Sequence, residues 1–411
     1  MPSNSNEFKE LSVDHNVIVS KIRDRIKKDK WEFILSDLPD QSVLVGGYIR
    51  DIVLDKENPN PDIDIVVPNN SLKVGKDLAK KFSGRYLILD QERNIVRIIF
   101  KKFVVDIASQ TNKLLIDDLK KRDFTINSIS FSFDSKELID PTQGITDLKK
   151  SILRSFDNQN LLQDPLRILR CFRFVSEFNF TIEPTLLQSI EEYKFALKTV
   201  SVERIQYELK RIVSGKNALK AISYIFKLKI FEWIESCKTN SLEFLLLVNY
   251  EMFSEKEIQQ YFPIFYLREM LPGSLIEYFK FSKSDANSIN SLRRWSNKLK
   301  KNSIEKFTES ERFQLHKELE NILPAFILYL PHQYHDDWLS RWRNKKDKLF
   351  HPRNFINGDT LKNKVGIKDG PLLGSLLNYL SMEYAYERLN NNDEAIDKAK
   401  QWFQQNAPKC D

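Results

Sequence analysis

Cysteine is scarce in this 411-residue chain: Cys171, Cys237 and Cys410 are its only three. Their scattered positions give neither a disulfide framework nor the close spacing of zinc ligands. A reducing compartment, the cytoplasm, fits such usage best. Long apolar runs are missing too. No stretch approaches the roughly 18 residues of a membrane-crossing helix, and the opening M-P-S-N-S-N-E-F-K-E lacks a signal-peptide core. A soluble chain with no membrane partner is expected. Histidine is rare at five residues; His335-Asp336 has no second histidine cluster upstream with which to share a metal, and reads as a surface loop. Glycine is rare as well, eleven in all, fewer than sheets joined by tight turns usually need. That favours helices over much of the chain.

What is present begins with a modest basic excess, 64 Lys and Arg against 57 Asp and Glu, formally +7. It suits a polyanionic partner and equally suits ordinary solubility. The length allows two to four structural units. Strand signals crowd the first third, at residues 42–45, 62–67, 85–89, 95–100, 103–107 and 129–133, with an amphipathic stretch over 17–29 before them. After Asp140-Pro141 the 3.6-residue period takes over, as in 166–178 and 203–213, and only helices are expected from there on. The fold class is therefore an α/β N-terminal head, a mixed sheet with helices, followed by an all-α C-terminal half. Boundaries fall near residues 140, 215 and 350, giving units 1–140, 141–215, 216–350 and 351–411.

The most informative stretch runs V-L-V-G-G-Y-I-R-D from Val43, then ten residues, then D-I-D-I-V-V from Asp62. Alternate strand residues point the same way, so Asp62 and Asp64 share a face. Paired carboxylates repel, and a hard, oxygen-seeking cation such as Mg²⁺ between them relieves the repulsion. Gly46-Gly47 lets the backbone approach a phosphate closely, at the start of a helix that carries Arg50 and Asp51. A lone D-x-D or a lone G-G is usually a turn. Together within some 25 residues they describe phosphate and metal chemistry, a nucleotidyl-transfer site.

Four further motifs follow in order: K-R-D-F-T-I-N-S at 121–128, G-I-T-D-L-K-K-S-I-L-R at 144–154, Q-D-P-L-R-I-L-R at 163–170 and S-V-E-R-I-Q-Y-E-L at 201–209. With the first, they resemble the class II tRNA nucleotidyltransferases and bacterial poly(A) polymerases of the polymerase-β-like superfamily. A weaker match, I-N-G-D-T-L then G-P-L-L-G-S-L-L at 356–377, looks like the same family's C-terminal element.

The resemblance implies transfer of nucleoside monophosphates from CTP and ATP to a tRNA 3′ end without a nucleic-acid template. Asp62 and Asp64 would hold two Mg²⁺ ions, one activating the RNA 3′-hydroxyl and one clamping the triphosphate. Asp106, in F-V-V-D-I-A-S, is the candidate third catalytic carboxylate; the alternative is a capping or salt-bridged strand-end aspartate. Around the nucleotide the resemblance places Gly46, Gly47, Arg50, Asp51 and Asn127. It implies that Arg122 pairs with phosphate oxygens and that Asp123 accepts from ribose hydroxyls. Arg170 and Arg173 follow at steps of three, within reach of the triphosphate. Gly144, Asp147 and Arg154 would form a hinge, and Glu203 and Arg204 an orienting helix.

Asp164 and Arg167, at i and i+3 on a helix, would face one way. Such an acceptor beside a donor matches the edge shared by cytosine and adenine, an amino donor next to a ring-nitrogen acceptor. Uracil and guanine present the reverse order, and each buried mismatch costs about 1–3 kcal/mol. The resemblance implies that the pair templates the incoming base; an ordinary surface i,i+3 salt bridge is the competing reading. Gln163 stands where the family usually has Glu, which leaves any charge-dependent role there in question.

Between Asp106-Ile107 and the second motif the chain has only A-S-Q-T-N-K-L-L-I-D-D-L-K. Relatives that complete CCA usually carry a longer flexible loop here, so the short connection favours CC addition. The basic signature of poly(A) polymerases is absent from F-S-G-R-Y-L-I-L-D, which weighs against poly(A) tailing. A catalytically inactive RNA-binding relative is disfavoured by the intact acid pair. The helical half would hold the tRNA acceptor and TΨC arms, with 298–301 and 341–348 as contacts beside Trp338, Trp342 and Phe350.

Overall fold

The computed structural model describes residues 4–112, 114–234 and 242–406. The chain divides into two compact units, residues 1–204 and 205–411. The first is built on a seven-stranded sheet in the order β3-β4-β5-β2-β1-β6-β7. Its strands are β1 (Val43–Val45), β2 (Asp62–Val67), β3 (Arg85–Asp90), β4 (Ile95–Ile99), β5 (Val104–Ser109), β6 (Ser130–Ser132) and β7 (Leu138–Ile139). β2 and β5 run parallel and every other neighbouring pair is antiparallel. The sheet is therefore mixed, as expected. Val43, Leu44, Val45, Ile63, Ile65, Val105 and Ile107 lie at or below 4 % exposure and form its core.

Helix α1 (Asn4–Lys28) and α2 (Gly47–Val53) precede and follow β1, and α3 (Ser71–Lys81) packs on β4 and β5. A short α4 (Leu115–Lys120) leads into the second motif, and α5 (Gly144–Lys149) carries the third. Gly144 is required by close approach. A Cβ there would lie 2.1 Å from the Thr125 carbonyl oxygen, well inside van der Waals contact. Helix α6 (Asn160–Gln163) and α7 (Leu166–Phe178) carry the fourth motif, followed by α8 (Pro184–Tyr193) and α9 (Val202–Ser214).

Helices do not have the chain to themselves after residue 140. β8 (Ile152–Leu153) and β9 (Thr181–Ile182) form a parallel two-stranded sheet. Two-residue strands are too short to show a period of two, so the sequence pattern misses them.

The described residues of the second unit form helices joined by turns and loops, with no strand among them. Three tryptophan- and phenylalanine-based expectations fail there: Trp338, Trp342 and Phe350 are 8 %, 5 % and 1 % exposed, core side chains rather than surface for RNA. Their lysine neighbours Lys345 and Lys346 are exposed, as are Lys300 and Lys301. His335 also departs from expectation. It opens the helix His335–Arg343, is 5 % exposed, and sets Nε2 2.8 Å from the Leu330 carbonyl. The last helices, Gly358–Val365, Pro371–Ala385 and Asn392–Asn406, gather round Leu361, Leu376, Leu380 and Leu389. Among the described residues no helix is long and apolar enough to cross a membrane. Cys171 is buried, with its thiol pKa pushed up by that burial; Cys237 and Cys410 lie outside the described residues.

Candidate active site

Strand register places the acids. Val45 pairs with Asp64, Asp64 with Asp106, and Asp106 with Arg97, in one line across β1, β2, β5 and β4. Residues opposite one another on neighbouring strands point to the same face, so Asp64, Asp106 and Arg97 share a face, with Asp62 two residues along. Loss of solvent around Asp64, reinforced by Asp106 and Asp62 and opposed by Arg122 and Arg50, pushes its pKa up to about 6. A buried carboxylate beside two others fits a cation site.

Above it lies the glycine turn. Gly46 has φ +78°, where a side chain is strained, and a Cβ there would meet Arg122 Nη1 at 2.9 Å and Asp64 Oδ2 at 3.2 Å. The turn is narrow because those two groups crowd it. Arg122 faces the acids, its Nη1 3.5 Å from the Asn127 carbonyl oxygen.

A chain of hydrogen bonds ties the first, second and fourth motifs together. Arg50 donates to Asp51 Oδ1 from Nε (2.9 Å) and Nη2 (2.7 Å), and to Asn127 Oδ1 from Nη1 (2.8 Å). Its guanidinium carbon also lies 5.2 and 4.8 Å from the ring centroids of Phe174 and Phe178. Asn127 in turn donates from Nδ2 to Asp123 Oδ1 at 3.0 Å. Arg170 closes the chain on Asp123 Oδ2, from Nε at 2.9 Å and Nη2 at 2.5 Å. Burial disfavours the Asp123 carboxylate, but Arg170, Asn127 and the Phe124 amide outweigh it and hold its pKa well below the usual range. Arg50, Asp51, Asp123, Asn127 and Arg170 are therefore engaged with one another. Arg173 lies deeper still, 5 % exposed with Glu177 at 3.8 Å; it is not on the open face with Arg167, because α7 turns that position inward.

Asp164 and Arg167 depart from the expected geometry. Asp164 is not helical: it ends α6 in an extended conformation, φ −143°, ψ 91°, because a residue before proline is disfavoured in the α region and Pro165 follows. Pro165 then stands at the N-cap of α7, and the Arg167 amide still bonds to the Asp164 carbonyl at 3.0 Å. No Asp164–Arg167 ion pair forms. Asp164 is held by Arg204 Nη2 at 2.9 and 3.2 Å, and Arg167 donates from Nη1 to the Asn160 carbonyl at 3.1 Å. The surface salt-bridge reading is therefore not realised.

Three contributors had no place in the sequence reading. Arg97 grips Asp106 through Nε–Oδ1 and Nη2–Oδ2, both 2.7 Å; a charge inside the apolar run I-V-R-I-I was the available signal. Asp106 is thus salt-bridged from the middle of β5. Asn160, 2 % exposed, donates to the carbonyls of Lys120 (3.1 Å) and Arg122 (3.4 Å). Thr125 donates to Asp147 Oδ2 at 2.6 Å, and Arg154 Nη2 lies 3.3 Å from Asp147 Oδ1.

Two family models match parts of the chain. Residues 42–154 match the family described as "Poly A polymerase head domain", and 179–235 match "Probable RNA and SrmB- binding site of polymerase A". Over these residues the chain is similar to the class II tRNA nucleotidyltransferase and bacterial poly(A) polymerase family. A CC-adding tRNA nucleotidyltransferase of Synechocystis sp. is 29 % identical over 399 residues, covering 90 % of this chain and 95 % of the relative. A CCA-adding enzyme of Pediococcus pentosaceus is 27 % identical over 379 residues, covering 88 % and 94 %. Among solved structures, the Thermotoga maritima CCA-adding enzyme complexed with tRNA superposes with a TM-score of 0.63 at 24 % identity, covering 88 % of this chain and 91 % of that one. At that identity the likeness is one of fold. Family members generally use divalent metal ions.

Proposed function

We propose that the chain extends tRNA 3′ ends with C residues from CTP, stopping at CC or, with ATP, completing CCA, by template-independent nucleotidyl transfer. The observation that carries this reading is Asp64 lying against the Gly46 turn beside Arg122, with Asp62 two residues along the same face of β2. Mg²⁺ held by Asp62 and Asp64 would supply activation of the RNA 3′-hydroxyl and charge neutralisation at the triphosphate. The chain's own part begins with Arg122, placed to pair with phosphate oxygens beside the acids. The Arg50–Asn127–Asp123–Arg170 network fixes the second motif against α7, so that Arg122 keeps its orientation. Asp164 and Arg167, aimed by Arg204 and Asn160, present an acceptor and a donor to the base.

The connection after β5 supports the CC specialisation. It runs from Gln110 to Leu114 before α4 begins and is tied down by Asp118, which accepts from the amides of Thr111 (2.8 Å) and Asn112 (2.9 Å). A connection so short and bonded leaves little chain to rearrange for a second nucleotide. The CC-adding name of the Synechocystis relative points the same way. Within this reading residues 1–140 are the catalytic head, 141–215 the neck that recognises the base, and 216–350 and 351–411 the body and tail. The last two meet the acceptor and TΨC arms through exposed lysines such as Lys300, Lys301, Lys345 and Lys346. The reaction takes place in the cytoplasm, where a buried unpaired Cys171 stays reduced.

The test is to incubate the protein with Mg²⁺ and single or paired nucleoside triphosphates on a tRNA transcript lacking its CCA end, and to size the products at nucleotide resolution. Growth by two with CTP and none on adding ATP is expected. Growth by three refutes the loop argument, long ATP-only tails point to poly(A) polymerase, and no extension overturns the enzymatic reading.

A further inference from the structure

The three carboxylates on the sheet face are not equivalent. Asp106 has both oxygens engaged by the Arg97 fork at 2.7 Å, a bidentate geometry that satisfies charge and direction together. Asp62 and Asp64 share the face with no such partner among the described residues; Arg122 is the cation that most offsets the buried Asp64 carboxylate. Although register brings Asp64 and Asp106 side by side, no group of three or more His, Cys, Asp or Glu side chains among the described residues is arranged to hold a metal ion. The fork turns both Asp106 oxygens to Arg97 on β4.

We propose that Arg97 is a positioning residue that withholds Asp106 from the metal, so that in the free protein a divalent cation is held by Asp62 and Asp64 alone. This rests on the metal reading given under Proposed function. For Asp106 to become a ligand, the cation must displace a guanidinium from both carboxylate oxygens and tolerate its charge nearby. Two carboxylates with several waters remaining is an ordinary Mg²⁺ arrangement, so the site functions without the third. Arg97 thereby decides how many protein ligands the cation has, and it does so through Asp106 without touching the cation.

The experiment counts ligands directly. Tb³⁺ is bound to the full-length protein without RNA or nucleotide, and luminescence lifetimes in H₂O and D₂O give the number of inner-sphere waters. Mn²⁺ titration followed by the electron paramagnetic resonance of the free ion gives the affinity. Wild type and Asp106→Asn are expected to hold equal numbers of waters. Arg97→Gln should hold one fewer and bind Mn²⁺ about tenfold more tightly, and Arg97→Gln/Asp106→Asn should regain the lost water. Arg97→Lys, which keeps the charge without the fork, guards against a fold defect in the glutamine variant and should also lose a water. A gain of one water in Asp106→Asn overturns the proposal, since Asp106 would already be a ligand. So does an unchanged count in both Arg97 variants while Asp64→Asn still weakens binding. Undiminished binding in Asp64→Asn puts the cation elsewhere and overturns the metal reading along with this one.

Discussion

Replacing Gly144 by alanine tests how the third motif supports the second. The added Cβ would sit 2.1 Å from the Thr125 carbonyl oxygen, 2.8 Å from its carbon and 2.9 Å from Ile129 Cγ1. Contacts under 3.0 Å are essentially unknown for a Cβ, so α5 and the Thr125 turn must part by about 0.9 Å, the difference between 3.0 and 2.1. Neither side yields easily. Thr125 is fastened by its amide to the Arg154 carbonyl at 2.9 Å and by its hydroxyl to Asp147, and α5 is anchored by Asp140, which accepts from the amides of Gly144 (2.7 Å) and Ile145 (2.9 Å). Overpacking of this kind costs about 1–3 kcal/mol, a fall of roughly 2–12 °C in melting temperature for a unit of this size. The displaced segment runs into Asn127 and so disturbs Arg122 and Asp123. CTP incorporation should therefore fall further than the loss of folded protein explains, when both are measured below the variant's melting temperature. Gly374→Ala is the control. Nothing lies within 4 Å of a Cβ there, in the helix Pro371–Ala385, and the change should be neutral or stabilising by up to about 1 kcal/mol. Gly144→Ala matching wild type in melting temperature and activity would refute the reasoning.

Two other outcomes follow from the buried charges. Arg170→Met strands the Asp123 carboxylate, 8 % exposed, and should cost about 3–5 kcal/mol in denaturant titration; adding Asp123→Asn should recover most of it, and a single variant that unfolds like wild type would contradict the network. Because the folded pKa of Asp123 is depressed, its contribution is present above the unfolded value near 3.8 and disappears as pH falls through the acid range. Asp64 has the opposite sign. Raised from 3.8 to about 6, it makes the metal-free protein lose roughly 3 kcal/mol as pH rises from about 4 to 6. Asp64→Asn should flatten that part of the stability curve, and Mn²⁺ affinity in wild type should weaken below pH 6; a variant retaining the full slope would assign it to another group.

Local chemistry determined much of this from the sequence alone. Apolar runs of period two marked the strands, D-I-D put two carboxylates on one face, and glycine at 46 and 47 called for a tight turn, because each depends only on neighbouring residues. The switch to helical period after residue 140 was legible for the same reason. Partnership across the chain was not. That Asp106 meets Arg97 depends on the antiparallel register of β4 on β5, that Asp123 is closed off by Arg170 depends on where α7 packs 47 residues later, and Asn160 reaches Lys120 and Arg122 only through folding. Asp164 is an intermediate case. Its extended conformation was written in the following proline, while its pairing with Arg204, 40 residues on, came from the tertiary structure. Sequence fixes the local geometry of a charged side chain; which opposite charge it meets is set by packing between segments distant in the chain, and on that choice rests whether a carboxylate is left for a cation or satisfied by an arginine.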